Sequence, residues 1–148
     1  MTVRRSSRLV SLPRMNDNLA VSLQGVGIDL VSLRRVKRLT SGRSSIQFRN
    51  LLTSSEQKLL KGSPRRRASV LAKIISAKEA FFKAAGLGWI GTHGWREFHV
   101  RLLRHGSFSI QTARQDAAFR AVGSFFENAG RVGAMVTLWK SDALAPSR

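Results

Sequence analysis

The chain has no cysteine and only eight acidic residues among its 148. Without cysteine it can form no disulfide, no thiolate zinc site and no Cys nucleophile. No apolar stretch approaches the ~18–20 residues of a membrane span, and no segment has the apolar core of a secretory signal. A soluble, cytoplasmic protein is therefore expected. His93, His99 and His105 stand at no metal-ligand spacing, and Ser54 and Ser55 have no His/Asp set close by in the sequence. Nothing points to a zinc enzyme or a serine hydrolase.

Positive charge is abundant instead, with 26 Lys+Arg and a formal charge of +18. Such a chain would bind a nucleic-acid backbone without sequence preference, or favour an acidic protein or a polyphosphate. Its length fits one domain, and 43% hydrophobic residues suffice for one core.

Residues 1–22 read as a basic, flexible N-terminal extension, 23–140 as the domain and 141–148 as a tail. Apolar and β-branched residues from Leu23 to Val31 predict a buried strand. The segment LRRVKRL predicts a short basic helix, and Ser41 to Ser45 a loop. Thr53-Ser-Ser-Glu56 is a capping box that opens a helix ending near Gly62. Ser63-Pro64 opens the longest helix, about 64–85, which Gly86 stops. The glycine-rich stretch Gly86–Gly94 reads as loop. Phe98–Leu102 and Phe108–Ile110 form a hairpin, as do AVGSFFE and RVGAMVTLW around Asn128-Ala-Gly130. Between the hairpins, Thr112 to about Arg120 reads as helix. The fold class is α+β: an antiparallel sheet with helices packed on one face, including one long core helix.

Two of the rare acids stand in apolar surroundings, Asp29 in GVGIDLV and Glu79 in IISAKEAFFKAAGLG. A carboxylate there is disfavoured unless a cation or donor meets it. At 100° per residue Leu71, Ile74, Ile75, Phe82 and Ala85 form one stripe. Lys78 falls in its middle, an unusual place for an ammonium, and one bland reading is that it snorkels out. Glu79 lies at the edge with Lys83 one turn on, and the small Ala72, Ser76 and Ala80 nearby leave room for a ligand. Taken alone, Glu79 and Lys83 also read as an ordinary i,i+4 ion pair, and Asp29 as a strand-end cap. Together, Asp29 and Glu79 suggest a site for a hard metal ion.

The segments GVGIDLVSLRRV, RNLLTSSE and SAKEAFFKAAGLG carry a resemblance. They are similar to the signature motifs of the 4′-phosphopantetheinyl transferases, above all the small holo-acyl-carrier-protein synthase type. That family has Gly-Ile-Asp-Ile/Leu-Val, Leu-Thr-x-x-Glu, and Lys-Glu-Ala-x-x-Lys-Ala followed by Gly-x-Gly. The resemblance implies transfer of the phosphopantetheine arm of coenzyme A to a carrier-protein serine, with adenosine 3′,5′-bisphosphate released. It implies Asp29 and Glu79 as Mg²⁺ ligands, Lys83 at the coenzyme phosphates, and Lys78 in a supporting or proton-transfer role. Gly86, Gly88 and Ser124 would line the coenzyme site. Arg35, with Arg34 and Arg38 beside it, would dock the acidic carrier. A homotrimer with sites between subunits is expected. The chain departs from the pattern at Val122-Gly-Ser124-Phe-Phe126, where the family has Ser-x-Ser-His. It also has Ile74 in place of an arginine and Ser32 in place of an acid. An alternative is a catalytically silent member that binds carrier protein or nucleic acid.

Overall fold

Five strands form one antiparallel sheet in the order β1-β5-β4-β3-β2. The structure, a computed structural model, describes residues 21–40, 49–88, 91–112 and 119–141. Strand β1 is Val21–Ser32, β2 Phe98–Leu102, β3 Ser107–Thr112, β4 Phe119–Asn128 and β5 Arg131–Ser141. The helices are α1 (Leu33–Thr40), α2 (Ser54–Leu59), α3 (Pro64–Ala84) and α4 (Gly91–Glu97). Helix α3 lies across β1, β5, β4 and β2, and α1 packs on α3, which is the expected α+β arrangement.

Two glycines bring α3 onto the edge strand. A Cβ at Gly25 would collide with the carbonyl oxygen of Ala84, and one at Gly27 with that of Ala80. Ala80 and Ala84 are one turn apart on the same helix face. Strand and helix backbones therefore touch here, with no side chain between them. One expectation is corrected: Ala72, Ser76 and Ala80 are fully buried, so they leave no open space for a ligand, and the small Ala80 admits the strand.

The caps act as the sequence predicts. Thr53 Oγ1 accepts from Glu56 N while Glu56 Oε2 accepts from Thr53 N, completing the box. Ser63 Oγ accepts from Arg66 N, and Pro64 opens α3. Gly86 takes φ +66, and its N–H donates to the Lys83 carbonyl, closing the helix as a left-handed glycine should.

Three local expectations are corrected. Thr112 ends β3, and Phe119 and Arg120 open β4, so neither end of the predicted 112–120 helix is helical. Residues 113–118 lie outside the described residues. The Phe119 ring packs 5.5 Å from Phe81, and this tertiary contact outweighs a local capping pattern. The stretch read as loop up to Gly94 contains the start of α4, which seats Trp95 in the core, 5.6 Å from the Phe82 ring. Strand β1 begins at Val21, inside the predicted extension, and β5 runs to Ser141. The predicted loop from Ser41 lies outside the described residues.

Candidate active site at the contact of β1 and α3

Side chains alternate along a strand, so Asp29, two residues after Gly27, points to the same face. That face carries Glu79 and Lys83 of α3, which flank the Ala80 contact. Lys83 Nζ donates to Asp29 Oδ1 at 2.7 Å and to the Ile28 carbonyl at 3.1 Å. Burial pushes the Glu79 carboxyl above the ordinary range, the negative charge of Asp29 pushes it further, and Lys83 partly opposes both. Two motifs about fifty residues apart in sequence thus meet as two mutually repelling carboxylates.

They open into a cleft of about 480 Å³, whose lining includes Asp29, Ser32, Arg35, Ile75, Glu79 and Arg131. The pair fits Mg²⁺, which takes one or two carboxylates and completes its shell with phosphate oxygens and water. Among the described residues no group of three His, Cys, Asp or Glu side chains could hold a metal. A cation here would therefore depend on substrate oxygens, as Mg²⁺ sites commonly do.

The other predicted residues divide. Arg35 lines the cleft, whereas Arg34 and Arg38 are exposed on α1 and do not. Gly86 and Gly88 are exposed beyond the end of α3, and a Cβ at either would meet open space. Gly86 is required by its positive φ and not by a close neighbour.

Ser124 is not brought to the cleft. In the sheet register Asp29 aligns with Ala134 and Phe125, while Ile28 aligns with Met135 and Ser124. Ser124 thus lies on the face turned away from α3. Phe126, in the segment that departs from the family pattern, is on that face too, its ring lying where a Cβ at Gly133 would go.

Lys78 also needs correction. It does not snorkel out: its side chain is fully buried, donating to Glu56 Oε2 at 2.9 Å and to the Trp95 carbonyl at 2.8 Å. Burial lowers its pKa, and Glu56 opposes that shift. Glu56 is fully buried too, and its Oε1 accepts from Val100 N at 2.8 Å. An ammonium held in this way, on the side of α3 away from Asp29, has no path to a substrate proton. Its geometry is that of a brace joining α2, α3, α4 and β2.

Sequence reading missed the counterion role of Glu56, which was visible only as the acid of a capping box. Ser55 Oγ and His99 Nδ1 do meet, at 3.1 Å, but the nearby Glu56 carboxylate faces that same nitrogen at 3.9 Å. A relay needs its two partners on different ring nitrogens, so this is no triad.

Comparison with known proteins agrees with the geometry. A holo-[acyl-carrier-protein] synthase of Geobacillus kaustophilus is 36% identical over 93 residues, covering 62% of this chain and 70% of the relative. One from Halalkalibacterium halodurans is 36% identical over 77 residues, covering 51% of this chain. The match spans 64% of that relative's length and 66% of one from Shouchella clausii, just under two thirds. Among solved structures, holo-[acyl-carrier-protein] synthase from Neisseria meningitidis is similar with a TM-score of 0.65 and 27% identity. It covers 79% of this chain and 98% of that one. The Bacillus anthracis enzyme in complex with CoA (3′,5′-ADP) has a TM-score of 0.64 at 26% identity, covering 82% and 99%. The sequence profile of the 4′-phosphopantetheinyl transferase superfamily matches residues 25–132, a span containing Asp29, Glu79 and Lys83, and the chain belongs to that superfamily.

Proposed function

We propose that this protein is a Mg²⁺-dependent holo-acyl-carrier-protein synthase. It transfers the 4′-phosphopantetheine group of coenzyme A to a serine of an acyl or related carrier protein, in the cytoplasm and in the service of fatty-acid synthesis. The observation that carries this reading is the convergence of Asp29 and Glu79 on one cleft, with Lys83 between strand and helix. Residues 23–140 form the catalytic domain in this reading, with 1–22 and 141–148 as non-catalytic tails. No helix among the described residues is long and apolar enough to cross a membrane.

Asp29 and Glu79 would hold Mg²⁺, which when bound supplies charge neutralisation at the diphosphate. Taking up the cation requires an ionised Glu79, so its carboxyl gives up the proton that burial and Asp29 help it keep. Lys83, with more than half of its side chain exposed, can swing from Asp29 to phosphate oxygens. The carrier serine oxygen bonds to the β-phosphorus as the bond to the bridging oxygen breaks. Adenosine 3′,5′-bisphosphate leaves, and the serine proton passes to solvent. Gly86 and Gly88 beyond α3 offer backbone unshielded by side chains to the nucleotide. Lys78 acts indirectly, by fixing the helix that carries Glu79. Arg34, Arg35 and Arg38 present positive charge to an acidic carrier, which speeds and orients encounter.

The assembly in this reading is a homotrimer, and the exposed sheet face supports a contact between protomers. Val26, Ile28, Leu30, Phe126 and Met135 expose between 43% and 55% of their surface there. Contiguous exposed apolar surface of this kind marks a contact face. Ser124 lies on it and would serve a neighbouring protomer's cleft in such an assembly.

Mass spectrometry of an apo carrier protein incubated with the enzyme, coenzyme A and Mg²⁺ tests the reading. The carrier should gain one phosphopantetheine, and Asp29→Ala or Glu79→Ala should abolish the gain while the circular-dichroism spectrum is kept. An unmodified carrier with the folded wild-type protein would overturn the activity.

A further inference from the structure

Helix α3 begins against its own electrostatics. Its first residues after Pro64 are Arg65, Arg66 and Arg67, all exposed, and its first turn holds no acid. Cations at this end oppose the helix dipole and repel one another, so the fold gains nothing from them. Lys58 of α2 and Lys61 of the link between the helices are exposed as well, which puts five cations within the ten residues 58–67. The link turns at Gly62, with φ +95, and the Arg66 side chain lies over it, its Cδ 3.2 Å from where a Cβ would stand. Among the described residues none of the five has an ion-pair partner. Asp29 and Glu79 face the cleft, Glu56 holds Lys78 and Glu127 holds Lys73. A groove of about 480 Å³ lies between α1 and the start of α3, lined by Lys37, Thr40, Pro64, Arg65 and Arg67. It shares no lining residue with the Asp29–Glu79 cleft. Arg67 precedes Glu79 by twelve residues on α3, about 18 Å along the axis at ~1.5 Å per residue. That is about twice the screening length at physiological salt, so the patch does not balance charge in the cleft.

We propose that the patch of Lys58, Lys61, Arg65, Arg66 and Arg67 binds nucleic acid through its phosphate backbone, without sequence preference and independently of the transfer reaction. Phosphates spaced along a strand need cations and little else to be held. A protein partner needs a buried aromatic or aliphatic anchor as well, and the groove offers only Pro64. The net charge of +18 also far exceeds what Arg34, Arg35 and Arg38 bring to carrier docking.

Fluorescence anisotropy with short labelled single-stranded DNA, in two unrelated sequences, tests this. Wild type should bind both equally, with affinity falling steeply as salt rises. Arg65→Ala, Arg66→Ala and Arg67→Ala together should weaken binding roughly a hundred-fold at about 0.1 M salt. They should also lower the log–log salt slope by about two, at ~0.7 per phosphate contact. Each single variant should lower it by about 0.7, which serves if the triple variant melts early. Removing three exposed arginines elsewhere, with Arg101→Ala, Arg104→Ala and Arg120→Ala, should have a much smaller effect. The carrier KM should be unchanged in the first triple variant. An equal loss in the two triple variants would reduce the binding to net charge and overturn the patch. A raised carrier KM with unchanged DNA affinity would make the patch a protein-docking surface and overturn the proposal as well. No binding by folded wild type at low salt would overturn it too, while the transferase reading stands or falls separately on phosphopantetheine transfer.

Discussion

At the scale of single residues, Glu79 shows how a proposed metal ligand opposes the stability of its own fold. Burial and Asp29 raise its pKa in the folded state above the ordinary value of 4.5. Its protonated form therefore favours folding, and that contribution is lost as pH rises through the raised pKa. Glu79→Gln is neutral at every pH. It should melt higher than wild type at pH values above the raised pKa, with the gap closing as pH falls through that pKa and gone below about 4.5. Melting temperatures followed across that range check this, and a gap that widens on acidification would contradict the assigned shift. The sequence makes Asp29 and Glu79 legible because acids are rare and both stand among apolar residues.

At the scale of elements, the Glu56–Lys78 pair braces α2 and α3 together and reaches β2 and α4 through Val100 N and the Trp95 carbonyl. Removing one partner of a buried pair strands the other charge, which costs about 3–5 kcal/mol. Lys78→Met should lose stability of this order in urea titration, and Glu56→Gln added to it, which removes the stranded charge and keeps an oxygen for Val100 N, should restore much of the loss. The folded fraction of Lys78→Met should still transfer phosphopantetheine, since the ammonium has no path to the substrate. Complete loss of turnover in well-folded double variant would return Lys78 to the chemistry. The apolar stripe marked Lys78 as unusual, but its partner lies on another helix, where no periodicity can point.

At the scale of the whole molecule, charge and apolar surface are segregated. The exposed arginines of α1 stand on the helix side, and the apolar strand residues on the opposite face of the sheet. Arg34→Glu with Arg38→Glu should raise the carrier KM several-fold and flatten its salt dependence, with little change for coenzyme A. An equal rise for both substrates would point to a damaged fold instead. Ile28→Asp places a charge on the apolar face and should dissociate the proposed homotrimer, read by sedimentation velocity. Transfer should fall with it if Ser124 serves a neighbouring cleft. An unchanged sedimentation coefficient would remove that face from the interface.

The sequence by itself determined the elements whose signals are local: both hairpins, the capped start of α2, and α3 from Ser63-Pro64 to Gly86. It also determined the two carboxylates, since an acid in an apolar run is conspicuous without any partner in view. The tertiary structure alone decided what each residue faces. The Gly27–Ala80 contact sets Asp29 beside Glu79, and the sheet register turns Ser124 and Phe126 away from them. Packing of Phe119 on Phe81 goes with strand at Phe119 and Arg120, where the local pattern suggested the end of a helix. Lys78 gained a buried counterion. Each of these depends on contacts between segments far apart in the chain, and a pattern of near neighbours does not encode which distant segment will arrive.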